Sequence, residues 1–258
     1  MSEIIFKGTF GKVEGFYSHN RNANSPSVLI VSNNRDKSTK KSQIFDKTVK
    51  LVFDIFVEND FSALRFDFMN HEVEKTEVDT VNLLDVTIAL DWLHNKNIEC
   101  RNFWVCGVDQ GALTSLQLAM RRPEVGNYVL VSPNVRKSDL NFIIPCSACG
   151  FIVRGSEDIR FSEDEWLVFQ EKLVTKAESK VKCVTIYGAE MDFSGETKKQ
   201  FKTELSNYLK EKVAVDRKNL KHVTAGKRRR RRKGSAYLED EKIVYINPVK
   251  SLEEIDSI

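Results

Sequence analysis

The stretch that most constrains the fold of this 258-residue chain is Phe103-Trp104-Val105-Cys106-Gly107-Val108-Asp109-Gln110-Gly111-Ala112. An apolar run of strand composition enters a Gly-x-Asp-x-Gly turn. A helical pattern leaves it through Leu113, Leu116, Leu118, Ala119 and Met120, and Pro123 stops that helix. A glycine two places either side of Asp109 is what a tight strand-to-helix turn requires, because side chains there would have no room. A chain that must accommodate this turn is pushed toward strands and helices in alternation.

The rest of the chain fits that demand. Ile4-Ile5-Phe6 and Val13 to Tyr17 flank Gly8 to Lys12 and predict a β-hairpin. Val28-Leu29-Ile30-Val31 is a continuous apolar run, the mark of a strand buried on both faces. A polar stretch from Ser32 to Ser42 follows, then a helix over 43–57. Strands are expected at 63–68, 128–132, 150–156 and 181–187, and helices at 80–95, 162–177 and 196–212. After the hairpin, strand and helix alternate, which implies an α/β fold with a mostly parallel, doubly wound sheet.

The charge is unevenly spread. Residues 213–234 hold ten cations and one acid, a net of +9, whereas 235–258 hold six acids and two lysines, a net of −4. The total of +3 leaves −2 for residues 1–212. Attraction to polyanions is therefore confined to one short segment. The chain is expected to divide into a domain over 1–212 and a basic, largely disordered tail over 213–258, with a short β-like run at 242–247. That run would add an edge strand to this domain or a partner, or fold back on the basic block.

No run approaches the ~18 apolar residues of a membrane helix, so the chain is not expected to span one. Met1 to Phe6 lacks a basic region followed by an apolar core, so no secretory signal is expected. Five cysteines, mostly inside apolar runs, fit a reducing compartment. Together these suggest a soluble, cytoplasmic protein.

With these motifs in hand, residues 3–212 resemble a small, lidless α/β-hydrolase of the dienelactone-hydrolase-like or serine-aminopeptidase-like kind. The resemblance is carried by Leu64 to Phe68, Ala89 to Leu93, the Gly-x-Asp-x-Gly turn, Leu118 to Glu124, Gly155 to Asp158, and Gly188-Ala189 with Phe193 and Gly195. It implies the α/β-hydrolase fold and makes the central turn a nucleophile elbow. It also assigns positions. Asp109 stands where relatives carry the nucleophilic serine. Asp158 matches the acid after a late strand. Met191 stands where the histidine is expected. Gln110 would supply the first oxyanion-hole N–H, and the loop Asn33-Asn34-Arg35 the second donor region.

Two readings of Asp109 stand side by side. Some α/β-hydrolases, haloalkane dehalogenases among them, attack with an elbow aspartate, but a histidine must then activate water to release the ester. His71 follows a strand toward the edge where catalytic loops gather and is the candidate base. His19 and His94 are expected at the opposite edge, and His222 lies in the tail. In the other reading, Asp109 is a carboxylate favoured by the N-terminus of the following helix, by ~0.3–1 kcal/mol, with Arg35 as its expected partner.

The sequence thus supports three functions. A protein that has lost turnover would act by binding, with a small ligand in the vestigial pocket. An active hydrolase would cleave a small ester, amide or acyl substrate through Asp109 and Asp158. A polyanion-binding module would use Lys227, Arg228, Arg229, Arg230, Arg231, Arg232 and Lys233 against RNA, an anionic membrane surface or a protein, with the body as scaffold. No cofactor is expected. Cys146-x-x-Cys149 lacks the further ligands of a zinc site and precedes a strand, not a helix, so these are read as structural thiols.

Overall fold

The structure is a computed structural model that describes residues 2–8, 12–32, 40–67, 75–134, 140, 143–159, 162–176 and 180–233. The hairpin forms as expected, from β1 (Ser2–Lys7) and β2 (Lys12–Ser18), paired antiparallel. β3 (Ser27–Ser32), β4 (Ser62–Asp67), β5 (Phe103–Val108), β6 (Val125–Val131), β7 (Cys149–Gly155) and β8 (Val181–Ile186) then run parallel to one another. The order across the eight-stranded sheet is β1-β2-β4-β3-β5-β6-β7-β8, with β2 antiparallel to β4. This is the α/β-hydrolase architecture, a mostly parallel sheet opened by a hairpin.

Helices α1 (Lys40–Glu58), α2 (Lys75–Lys96), α3 (Gly111–Arg121), α4 (Glu163–Lys176) and α5 (Thr197–Lys233) complete the fold. The period-two alternation of the strands decides which helix covers which face. On β3, Leu29 and Val31 face the core shared with Leu90 of α2, Leu116 of α3 and Trp166 of α4. Val28 and Ile30 face the other core, with Val52 and Phe56 of α1 and Phe201, Leu205 and Tyr208 of α5. Both faces of the central strands are covered, which is why β3 and β5 read as unbroken apolar runs.

Local signals set several boundaries. Ser162 and Glu165 form a capping box ahead of α4: the Glu165 N–H donates to Ser162 Oγ at 3.3 Å, and the Ser162 N–H to Glu165 Oε2 at 2.6 Å. At the end of α3, the Arg122 N–H bonds the Leu118 carbonyl at 2.9 Å, and Pro123 follows. The Arg122 guanidinium meets Asp91 of α2 and Glu124, each at 2.6 Å, which fastens α3 to α2.

The helix after β8 is longer than the 196–212 expected. It runs to Lys233 and takes in the basic block. Arg and Lys are good helix formers, no proline intervenes, and cations are favoured near a helix C-terminus. By compactness the chain separates into two units, Met1–Asp216 and Arg217–Ile258. The β-like run 242–247 lies outside the described residues. Among the described residues, no helix is long and apolar enough to cross a membrane.

An aromatic group holds α5 on the sheet. Trp104 is fully buried and meets Phe61 edge-on at 5.3 Å and Tyr208 at 6.0 Å. Its indole N–H donates to Asn102 Oδ1 at 2.8 Å, and the Asn102 amide donates to Asp216 Oδ2 at 2.8 Å. Trp104→Ala removes the centre of this group and should cost about 3–5 kcal/mol. Urea unfolding of the variant measures the loss, and a midpoint equal to the parent's would contradict this account of the core.

Candidate functional site

The elbow is built by close approach of backbone to backbone. A Cβ on Gly107 would lie 2.5 Å from Ala112 Cα, and one on Gly111 would lie 2.3 Å from the Val31 carbonyl oxygen. Neither position admits a side chain. Gly111 thus seats the first turn of α3 directly on the backbone of β3. The chain between them is forced through a left-handed residue, and Asp109 has φ +53°. Aspartate tolerates this region better than most residues, though it remains a strained conformation held by its surroundings. The Asp109 N–H donates to the Val131 carbonyl at 3.0 Å, and its carbonyl accepts from the Ala112 N–H at 3.2 Å. The side chain is buried, at 7% exposure.

Gln110 is the N-cap of α3, exposed and in right-handed helical geometry, φ −68° and ψ −26°. Its main-chain N–H therefore belongs to the positive end of the helix.

The acid and the methionine come from neighbouring loops that are stitched together. Asp158 is buried in the turn after β7. The Ser156 N–H donates to the Ile186 carbonyl at 3.0 Å and the Glu157 N–H to Ala189 at 2.9 Å. The Gly188 N–H donates to Ser156 Oγ at 2.8 Å. Gly155 has no room for a Cβ, which would lie 2.1 Å from the Ala189 carbonyl oxygen. Met191, half-buried, follows in the β8–α5 loop, and its carbonyl accepts from Thr48 Oγ1 of α1 at 3.5 Å. Asp109, Asp158 and Met191 therefore all stand at the carboxyl edge of the parallel strands, where a doubly wound sheet gathers its functional loops.

Arg154 is the residue that sequence reasoning missed. It lies on β7 four positions before Asp158 and is fully buried. It is ion-paired with Glu163, and its guanidinium sits 5.1 Å from the centre of the Trp166 ring. Burial pulls its pKa below the ordinary arginine range, and the negative charge of Asp158 opposes that. The signal was present: an arginine inside an otherwise apolar strand must find buried partners.

Of the other expected site residues, Asn33, Asn34, Arg35 and His71 lie outside the described residues, and with them the Arg35–Asp109 pairing. His19 and His94 fall at the amino edge, away from the elbow. His19 Nδ1 lies 2.9 Å from the Tyr17 hydroxyl, which donates to Asn97 at 3.1 Å, and His94 packs on Phe103 at 5.2 Å. His222 lies on α5 beyond Asp216.

A groove of about 430 Å³ opens beside the Met191 loop, between Lys47, Lys50, Leu51 and Asp54 of α1 and the segment 192–198, and does not include Asp109. The described cysteines are free thiols. Burial pushes Cys183 up to about 12 and raises Cys146, as befits unreactive packed thiols. Among the described residues, no group of three or more metal-ligating side chains could hold an ion.

Comparison with known proteins agrees with this architecture. No protein-family model matches the chain. An uncharacterized protein of Rickettsia prowazekii, RP471, is 28% identical over 215 residues, covering 81% of this chain and 89% of that one. A protein of unknown function from Agrobacterium tumefaciens, ATU1826, described as an α/β-hydrolase candidate, superposes with a TM-score of 0.69 at 28% identity, over 83% of this chain and 97% of its own. The Pyrococcus furiosus esterase Pf2001 superposes at 0.65 with 16% identity, over 81% and 90% of the two chains. A lidless α/β serine hydrolase of Xanthomonas campestris, XC6422, does so at 0.63 with 14% identity, over 83% and 94%. The likenesses to these last two establish the shared fold.

The geometry makes a direct prediction. Gly111→Ala forces a Cβ into the β3 backbone and should cost about 3 kcal/mol or more, at the upper end for overpacking. Chemical denaturation reads this, and an unchanged midpoint would mean that α3 does not rest on β3 as described.

Proposed function

We infer that this chain, a protein of the α/β-hydrolase superfamily, works by binding a small ligand and does not turn over esters. The observation that carries this reading is the pairing of an intact elbow with Met191 in the loop where a base is needed. A methionine thioether neither accepts nor returns a proton at neutral pH. Asp109 in place of a hydroxyl does not by itself end catalysis, because a carboxylate can attack carbon. Attack on an alkyl carbon forms an ester and attack on an acyl carbon forms an anhydride, and either needs an activated water to release it.

The preserved parts have a binding use. The turn holds Asp109 at the start of α3, and the Asp158 and Met191 loops are fixed to each other by backbone hydrogen bonds. A rigid, pre-formed site binds without a large ordering cost. The alternative, a hydrolase acting on small ester, amide or acyl substrates through Asp109, depends on His71 serving as base.

Steady-state hydrolysis of a p-nitrophenyl ester separates the two. The parent and Asp109→Ala are expected to agree within about twofold, at the level of protein-free buffer plus binding effects. Turnover in the parent that is abolished in Asp109→Ala would overturn the binding reading. The double variant Asp109→Ser with Met191→His then asks whether restoring side chains alone restores turnover on this scaffold.

A further inference from the structure

The basic segment is left unexplained by the elbow. Residues 217–233, all helical, hold ten cations and no acid. We propose that this part of α5 binds the phosphate backbone of double-helical nucleic acid, because arginine and lysine occupy every angular position along almost two turns of the helix.

Lys227 to Lys233 are seven consecutive cationic positions on a helix. At about 100° per residue they pass almost twice around the axis. A flat anionic surface engages one side of such a helix and leaves the other side's repulsion unrelieved. A groove walled by phosphates on both sides engages all of it. A B-form major groove, about 12 Å wide, admits a helix.

The charge spacing matches too. Helical rise puts one cation per ~1.5 Å along the block. A duplex carries one phosphate per ~1.7 Å of its axis. Five of the seven are arginines, whose planar guanidinium binds phosphate through two parallel hydrogen bonds.

The composition argues against two rival polyanions. No Phe, Tyr or Trp lies between 217 and 233, so the large rings that stack on single-stranded bases are missing. Its large apolar residues are Leu220 and Val223 alone, short of the apolar face that seats a helix in a bilayer surface. The body over 1–216 carries a net −3 and adds no attraction of its own.

Neutralised cations crowd less, so helix and ligand should stabilise each other. Like charges three and four apart oppose the helix when it is free. Bound phosphates remove that opposition, so helical content is expected to rise on binding.

The test uses the full chain and fluorescence anisotropy with labelled DNA and RNA duplexes, matching single strands, and phosphatidylserine vesicles. Duplex affinity should fall on the order of 10³-fold between about 50 and 200 mM salt. Replacing Arg229, Arg230 and Arg231 together by glutamine keeps good helix formers and should reduce the log–log salt slope by about 3. Lysine at the same three positions should keep the slope. The tighter of the two duplexes identifies the source of the phosphates. The proposal fails if the glutamine variant keeps the parent's slope and affinity, or if single strands or vesicles bind more tightly than either duplex. An unchanged urea midpoint across the variants shows that the body is intact. Because the elbow plays no part here, this outcome is independent of the ester assay.

Discussion

Everything at the candidate site depends on one close approach. The first turn of α3 rests on the backbone of β3 through Gly111, and Gly107 leaves space for Ala112. That contact drives the chain through Asp109 in a left-handed conformation. Strain of this kind persists only where the surroundings over-determine it. Here they do: the neighbouring strand end supplies the Val131 carbonyl, and the fully buried β5 holds the entry to the turn. What occupies the apex is a separate matter from what builds it. A serine and an aspartate can sit on the same frame, and the chemistry changes entirely.

Around the frame, charge is buried in a graded way. Asp158 stands in a turn tied by backbone bonds to the β8–α5 loop, and the fully buried Arg154, four positions earlier on β7, meets Glu163 and Trp166. The negative charge of Asp158 acts on this guanidinium against the cost of burying it.

Much of this was legible in the residues. Alternation of apolar runs and amphipathic stretches yields the strands, their mostly parallel run and both helical layers, because a strand buried on both faces has no polar positions to confuse it; the order of the strands across the sheet needs coordinates. The elbow was legible because only glycine fits at 107 and 111, although the reason at 111, contact with β3, needs coordinates. Asp109, Asp158 and Met191 follow the parallel strands β5, β7 and β8, so all three stand at one sheet edge. Arg154 was missed because periodicity reads a single polar residue in an apolar strand as noise, when burial makes it costly and so informative. The far end of α5 was missed because the helix continues after its apolar stripe ends, where propensity and dipole carry it and packing does not.

The central claim is that a carboxylate elbow, with Met191 in the loop where a base is needed, binds without completing a covalent cycle. The most direct measurement incubates the protein with an alkyl halide in ¹⁸O-labelled water and reads the peptide containing Asp109 by mass spectrometry. Hydrolysis of an aspartyl ester by attack of water on the carboxylate carbon would leave label on that side chain. The account predicts an Asp109 peptide without label after prolonged incubation. Progressive label at Asp109 in the parent, absent when His71 is replaced by alanine, would contradict it and establish turnover at this site.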